Sequence, residues 1–249
     1  MGQTRPRIAA TEYPTTEQMV GDSMDTRLDR EPWLVEIDRV LDGPEPDEAA
    51  WYAAVGRTLE DAYLATDDSY AQSGMRGDAA RWERGRRPVT AAIDRDGTFL
   101  DVGCANGLLM ESVQAWAEVD GYAVEPYGLD HSTRLAALAR QRLPRWADRI
   151  FVGNAIDWAP PFRFDFVRTE LVYVPPRRHV GLVERLLREV VVPGGRLIVC
   201  SYRSARKPVS RAGSVGDVLR EWGYEVIGET ERADLNGVVN VRVAWVGAV

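Results

Sequence analysis

Residues 99–107, which read FLDVGCANG, join an apolar run to two closely spaced glycines. The run before Gly103 is short and apolar, which is typical of a buried strand. After Gly107, apolar residues recur at helical spacing as far as Trp116. The segment therefore predicts a strand, a tight glycine turn and a helix. In that arrangement the first backbone N–H groups of the helix point towards whatever occupies the turn.

Strand and helix signals alternate downstream of this segment. Strands are predicted near residues 98–102, 122–130, 149–153, 164–169, 195–201, 224–229 and 238–246, and helices near 107–118, 132–142, 177–190 and 214–222. Such alternation favours a parallel sheet with helices on both faces. A proline–glycine turn at residues 193–195 is predicted to lead into the fifth strand. Only a short turn at 234–237 separates the last two strands, which predicts an antiparallel hairpin.

The order of these features resembles the class I S-adenosylmethionine-dependent methyltransferases over about residues 95–202. The features are the glycine turn, an acid at Asp130 after the second strand, the polar loop at Asn154 after the third and Glu170 after the fourth. The resemblance implies a Rossmann-like α/β fold whose seven-stranded sheet is mostly parallel, with an antiparallel last strand. It also implies S-adenosylmethionine as the cofactor, with S-adenosylhomocysteine as its product.

Ligands of open α/β sheets bind beyond the carboxyl ends of the strands. The resemblance therefore implies cofactor-binding residues along that rim and in the segment that precedes the first strand. They are Ser73, Trp82, Asp101, Gly103, Cys104, Ala105, Gly107, Asp130, His131, Asn154, Ala155 and Thr169. Residues 66–87 are expected to fold over the rim, where Arg86 is a candidate partner for the cofactor carboxylate.

Three of these positions have alternatives. Asp130 can accept hydrogen bonds from both ribose hydroxyls, or it can cap a helix that starts near Ser132. Asn154 stands where the family often has aspartate; its carbonyl oxygen can still accept from the adenine amino group, and Asp157 is the alternative partner. Ala105 replaces a glycine that is common in the family motif, and its methyl group is small enough to be tolerated.

Methyl transfer from a sulfonium requires mainly orientation and exclusion of water. Glu170 is the candidate catalytic residue, as a general base or as a binding group for an amine acceptor. It can instead hold an arginine such as Arg168 or Arg177. Candidate substrate residues after the fourth and fifth strands are Glu170, Tyr173, Tyr202 and Arg203, although both tyrosines also suit core packing.

The two histidines stand apart from each other in the sequence. His131 follows Asp130 and is expected to line the cofactor edge. His179 lies at a predicted helix start, where a surface or capping residue is expected. No His/Cys cluster has the spacing of metal ligands, so no metal is expected.

A nicotinamide-dependent dehydrogenase is the main alternative for a glycine turn after a strand. Its fingerprint, G-x-G-x-x-G, has a glycine where this chain has Ala105, and Leu108 follows Gly107 directly. Asp130 comes 27 residues after Gly103, against about 20 in that fingerprint. A nucleoside triphosphatase is disfavoured because the chain lacks G-K-[ST].

Composition sets the remaining expectations. The 249 residues suit a flexible segment at 1–30, a helical cap at 31–94 and a methyltransferase domain at 95–249. A net charge of −7 disfavours nucleic acid as a partner. Two cysteines make a disulfide framework improbable, and no apolar run is long enough for a membrane span, so a cytoplasmic protein is expected.

These observations together predict a methyltransferase that acts on O or N of a small-molecule acceptor. Methylation of a protein or peptide side chain is an alternative that requires an open groove. A regulatory protein that binds the cofactor without turnover is another. The sequence does not indicate an oligomeric state.

Overall fold

The computed structural model of the chain describes residues 32–42, 45–202 and 214–249. The predicted flexible segment at 1–30 and the predicted substrate residue Arg203 lie outside these ranges. A seven-stranded sheet forms the centre of the molecule. Its strands are β1 (Gly97–Val102), β2 (Val124–Asp130), β3 (Ile150–Val152), β4 (Phe164–Glu170), β5 (Val191–Tyr202), β6 (Val226–Ala233) and β7 (Val239–Gly247).

The strands lie in the order β3-β2-β1-β4-β5-β7-β6. The pairs among β1 to β5 are parallel, whereas β7 runs antiparallel to both β5 and β6. This confirms the mostly parallel sheet with an antiparallel last strand and the C-terminal hairpin. Strand order reverses between β1 and β4, so the carboxyl ends of β1, β2 and β4 form the crevice where such sheets bind ligands.

The turn predicted at residues 193–195 is wrong, because β5 runs through it. Phe164 pairs with Val191 while Phe166 pairs with Arg196, so the extra residues form a bulge within the strand. Gly194 adopts a φ of 76° there and donates its N–H to the carbonyl of Ala248 at 2.9 Å. Pairing with neighbouring chain segments therefore satisfies backbone groups that a free turn would leave to water.

Helices cover both faces of the sheet. They are α1 (Pro32–Asp38), α2 (Glu48–Leu64), α3 (Ala79–Arg86), α4 (Leu108–Val119), α5 (Thr133–Arg142), α6 (His179–Arg185) and α7 (Val215–Glu221). The predicted helix at 78–93 is divided, since α3 is followed by a 3-10 helix at Arg87–Ala92 that has Pro88 in its first turn. The predicted helix at 177–190 ends in a π-helical turn at Leu186–Val190.

Apolar side chains fill the space on both sides of the sheet. Leu100 and Val167 belong to one buried cluster, and Phe99 and Phe166 belong to the other, because successive residues of a strand point to opposite faces. The interleaved pattern explains why these strands read as continuous apolar runs rather than as alternating ones.

The helix α2 packs beside the carboxyl edge of the sheet. The Asp47 side chain caps it by accepting from the backbone N–H of Ala50 at 2.8 Å. Trp51 is fully buried, and its indole N–H donates to Asp38 at 2.8 Å. Val172, which follows β4, packs against the same small cluster, so α1 and α2 contact the rim of the sheet.

No helix in the described ranges is long and apolar enough to cross a lipid bilayer.

Candidate active site

A cavity of about 1060 Å³ lies over the carboxyl ends of the strands. Its floor is built by residues that follow β1, β2, β3 and β4, and its roof by α2 and by the segment that leads into α3. This volume is at the upper end of the range for small-molecule sites, about 300–1,000 Å³, so the cavity has room for a cofactor and a second molecule.

The glycine turn is shaped by close contacts. Gly103 has a φ of +78°, and a Cβ there would lie 2.6 Å from the ring of Tyr173. Gly107 has a φ of +76° and precedes α4, with Leu143 occupying the space of a Cβ. Ala105 has a φ of 47°, a left-handed conformation that disfavours any side chain. The turn therefore keeps its shape even where alanine replaces the usual glycine.

Asp130 connects the end of β2 to this turn. One carboxylate oxygen accepts from the backbone N–H of Ala105 and the other from that of Ser132, both at 2.8 Å. Burial raises the pKa of Asp130, while these two backbone hydrogen bonds lower it. Each oxygen still has a lone pair for a second donor. The alternative role as helix cap falls to Ser132, whose hydroxyl accepts from Leu135 at 3.1 Å.

Asn106 lies behind the cavity wall and positions the glycine turn, a role that the sequence reasoning missed. It is fully buried; its amide donates to the carbonyl of Ser69 at 2.9 Å and its oxygen accepts from the Ser73 hydroxyl at 2.5 Å. The same oxygen accepts from the backbone of Leu108 at 3.0 Å. The sequence signal was an asparagine between the two glycines of the turn. Its hydrogen bonds hold the segment before α3 against the turn.

The loop after β3 lies beside Asp130 on the cavity wall. Asn154 and Ala155 both line the cavity, and the Asn154 side-chain oxygen accepts from the backbone N–H of Ile156 at 3.2 Å. His131 also lines it, with its ring 5.7 Å from that of Tyr52 on α2. The rings of Tyr52 and His131 and the amide of Asn154 could therefore contact a flat polar ring.

Arg86 lies at the end of the cavity floor away from Asp130. Its side chain is buried and lines the cavity, its guanidinium carbon lies 3.6 Å from the centre of the Tyr202 ring, and its Nη1 is buried without a hydrogen bond. No described carboxylate forms an ion pair with it. A desolvated cation without a counter-ion is costly, so this position favours an anionic ligand group.

A second buried arginine, Arg168 of β4, has partners for both terminal nitrogens, whereas its Nε is buried without a hydrogen bond. It donates to Asp101 at 3.2 Å, to the Tyr173 hydroxyl at 2.8 Å and to Glu170. Burial raises the pKa of Asp101 to about 6, with Arg168 opposing that rise. The network fixes Tyr173 beneath the glycine turn and confirms that Glu170 holds Arg168; Arg177 pairs with Glu48 instead.

Glu170 keeps one oxygen available on the cavity wall. Arg168 and the Tyr173 hydroxyl, the latter at 2.7 Å, both donate to its Oε1. Its Oε2 accepts no hydrogen bond from the described residues. A carboxylate oxygen without a donor can accept a hydrogen bond from a ligand in the cavity.

The structure separates the predicted site residues into two groups. Those that line the cavity are Ser73, Gly103, Ala105, Asp130, His131, Asn154, Ala155, Glu170, Tyr173 and Tyr202. Those that lie behind its wall are Trp82, Asp101, Cys104, Gly107 and Thr169.

The residues behind the wall have structural partners. The Trp82 indole donates to Ser112 at 2.9 Å and packs in the core. Asp101 is turned towards Arg168, and the sulfur of Cys104 would lie 2.7 Å from a Cβ at Gly128, so it fills the space beside that glycine. The expectation for His179 as a surface or capping residue is wrong, since His179 is 1% exposed.

Similarity to known proteins is visible in the structure rather than in the sequence. No protein-family model matches, and a search of curated proteins finds no relative. The structure of 1,6-didemethyltoxoflavin-N1-methyltransferase from Burkholderia thailandensis, solved with 1,6-didemethyltoxoflavin and S-adenosylhomocysteine, is similar with a TM-score of 0.59. Identity is 16%, over 84% of this chain and 93% of that one.

The chain has the class I methyltransferase fold. Two further similar structures are PH0226 from Pyrococcus horikoshii and the [4+2]-cyclase SpnF, each with a TM-score of 0.53 and 17% identity. The first match covers 78% of this chain and 98% of PH0226, and the second covers 79% of this chain and 96% of SpnF. Since a cyclase has the methyltransferase fold, the activity must be argued from the site.

Proposed function

We propose that this chain binds S-adenosylmethionine in the cavity and transfers its methyl group to O or N of a small-molecule acceptor. The observation that carries the proposal is that Asp130 and Arg86 lie at two ends of one cavity floor, and that Arg86 has no acidic partner among the described residues. A ligand with a ribose at one end and a carboxylate at the other matches both groups.

The residues on the wall fit the cofactor part by part. Asp130 would accept from the ribose hydroxyls, and the amide of Asn154 would face the adenine edge beside His131. Gly103 gives the backbone close access, because a side chain there would collide with Tyr173. Arg86 would hold the carboxylate, which explains a desolvated guanidinium without a counter-ion.

S-adenosylmethionine, when bound, supplies a methyl group on a sulfonium that a nucleophile displaces directly. The protein then has to orient the acceptor and exclude water. Tyr52 and Tyr63 of α2 roof the cavity, and Tyr173 borders it beside the turn. Glu170 Oε2 would accept the hydrogen bond of the acceptor N–H or O–H, which directs the lone pair of that atom towards the methyl group. As the new bond to the methyl carbon forms and the carbon–sulfur bond breaks, S-adenosylhomocysteine would leave and Glu170 would take the acceptor's proton and pass it to water.

Calorimetric titration with S-adenosylhomocysteine tests the cofactor site. We expect binding by the wild-type chain and a loss of about tenfold or more for Arg86→Met, because a charge-assisted hydrogen bond contributes about 1.5–3 kcal/mol. Arg57→Met is the matched control: Arg57 is an exposed arginine of α2 that does not line the cavity, so its loss should leave the affinity unchanged.

A result in which the wild-type chain ignores S-adenosylhomocysteine but binds a nicotinamide dinucleotide would overturn the proposal. S-adenosylhomocysteine could bind while labelled S-adenosylmethionine transfers no methyl group to any acceptor in a metabolite extract. That result would favour the alternative of a non-catalytic binding protein.

A further inference from the structure

Four arginines from residues 76–86 line the cavity, and none forms an ion pair with an acid of the described ranges. They are Arg76, Arg81, Arg84 and Arg86. Most other described arginines have acidic partners, such as Arg142 with Glu111 at 2.5 Å. Arg86 is assigned above to the cofactor carboxylate, which leaves three guanidinium groups for another ligand. Guanidinium groups bind carboxylate and phosphate in bidentate geometry.

Helix α3 presents these groups on one wall. Arg81 and Arg84 are three residues apart, so they lie on the same face of the helix, and Ala80 on that face also lines the cavity. Arg76 precedes the helix. A Cβ at neighbouring Gly77 would lie 2.7 Å from Cδ of Arg81, so the chain before α3 passes close to that side chain.

The C-terminal hairpin also lines the cavity, and its strand β7 contacts helix α3. Asn236 in its turn and Asn240 in β7 line the cavity, and Val241 pairs with Tyr202, the residue stacked under Arg86. We call the part of the cavity wall formed by Arg76, Arg81, Arg84, Asn236 and Asn240 the arginine lobe.

Two acids also border the arginine lobe, and both are occupied by backbone donors. The Asp78 carboxylate accepts from the N–H of Arg81 at 2.8 Å. The Asp234 carboxylate accepts from the N–H groups of Asn236 at 2.8 Å and Val238 at 3.0 Å. Neither acid lies within ion-pair distance of an arginine of the lobe, so the guanidinium groups stay available although the whole chain carries a net charge of −7.

Aromatic side chains border the rest of the cavity. They are Trp33, Tyr52, Tyr63, Tyr173 and Tyr202. Their faces and edges favour a flat ring, which packs against aromatic walls in offset or edge-to-face geometry. The combination of aromatic walls with one cationic lobe therefore selects for a ring that carries an acidic group.

We propose that the methyl acceptor is an anionic aromatic small molecule whose carboxylate or phosphate binds in the arginine lobe. This inference rests on the proposed function, because it identifies the second occupant of the same cavity. The ring would lie against the tyrosines, and the O or N to be methylated would face Glu170.

Binding of three simple probes tests the inference on protein saturated with S-adenosylhomocysteine. The probes are 4-hydroxybenzoate, 4-hydroxyphenyl phosphate and the neutral 4-hydroxybenzamide, and affinity is measured by calorimetry or by ligand-observed NMR. We expect at least one anion to bind about tenfold more tightly than the amide. The two anions distinguish a carboxylate from a phosphate as the acidic group.

Charge removal localises the effect. For Arg81→Gln/Arg84→Gln we expect the affinity for the preferred anion to fall about five- to thirtyfold, since each exposed pair contributes about 0.5–1 kcal/mol. Affinity for the amide should change less than about twofold. Arg57→Gln removes an exposed arginine outside the cavity and should change neither affinity.

The inference fails if the amide binds as tightly as both anions, or if neither anion binds up to its solubility. It also fails if the double variant loses the same factor in affinity for the anion and for the amide. S-adenosylhomocysteine affinity is recorded separately for every variant. If the protein binds S-adenosylhomocysteine but shows no preference for the anions, the proposed function stands and only the anionic acceptor is refuted. If the protein prefers the anions but does not bind S-adenosylhomocysteine, the proposed function is refuted.

Discussion

Replacing Arg168 with methionine would remove the guanidinium that lies 3.2 Å from Asp101 and also bonds Glu170 and Tyr173. The side chains of Arg168 and Asp101 are 3% and 2% exposed. Methionine is long enough to fill much of the space, so the main loss is the charge. Removal of one partner of a buried ion pair typically costs about 3–5 kcal/mol, and we expect the free energy of unfolding to fall by about that amount near pH 8.

The pKa of Asp101 determines how the stability loss of this variant changes with pH. Burial raises the pKa of Asp101 from its ordinary value of 3.8 to about 6, while Arg168 lowers it. Between these values the native state binds more protons than the unfolded state, so this carboxyl contributes less stability as pH rises. Without Arg168 the pKa of Asp101 rises further. The wild-type loss is nearly complete about one pH unit above that pKa, and the variant should keep losing stability at higher pH.

Urea unfolding followed by circular dichroism at about pH 5 and about pH 8 measures this difference. The loss caused by Arg168→Met should be larger at the higher pH. Adding Asp101→Asn removes the carboxylate that has lost its partner. The double variant should therefore regain part of the stability and lose most of the pH dependence that Arg168→Met adds. A loss below about 1 kcal/mol near pH 8, or a loss equal at both pH values, refutes the reasoning.

Three other changes test the glycine turn and one helix cap. Ala105→Gly should raise the free energy of unfolding by about 1 kcal/mol, because glycine adopts the φ of 47° without strain; a lower melting temperature would contradict this. Gly103→Ala should lower both stability and S-adenosylhomocysteine affinity, since its Cβ would lie 2.6 Å from the Tyr173 ring; unchanged calorimetry would refute the contact. Ser214→Ala should cost about 1 kcal/mol in urea unfolding without changing ligand affinity, because it breaks the capping box with Asp217 at the start of α7.

Much of the sheet could be predicted from the sequence, because its strands carry short apolar runs that end in glycines or acids. The strands β1, β2 and β4 begin and end within two residues of their predicted positions. The path of β5 through Pro193 and Gly194 could not be predicted, because local turn chemistry is the same in a free turn and in a bulge that neighbouring strands pair.

The candidate site could be predicted only in part, since its decisive contacts join distant residues. The position of Asp130 at a strand end is a local signal. By contrast, Asp101 and Arg168 are 67 residues apart, and the bond from Ser73 to Asn106 spans 33. Arg86 was a candidate from its place before β1, but the sequence could not show that no acid of the described ranges would pair with it.

A crystal structure with S-adenosylhomocysteine bound tests the central claim most directly. The account predicts ribose hydroxyls within hydrogen-bond distance of the Asp130 carboxylate and the ligand carboxylate paired with the guanidinium of Arg86. It also predicts open space between the sulfur and Glu170. A ligand bound elsewhere, or one whose ribose and carboxylate contact neither residue, would contradict it.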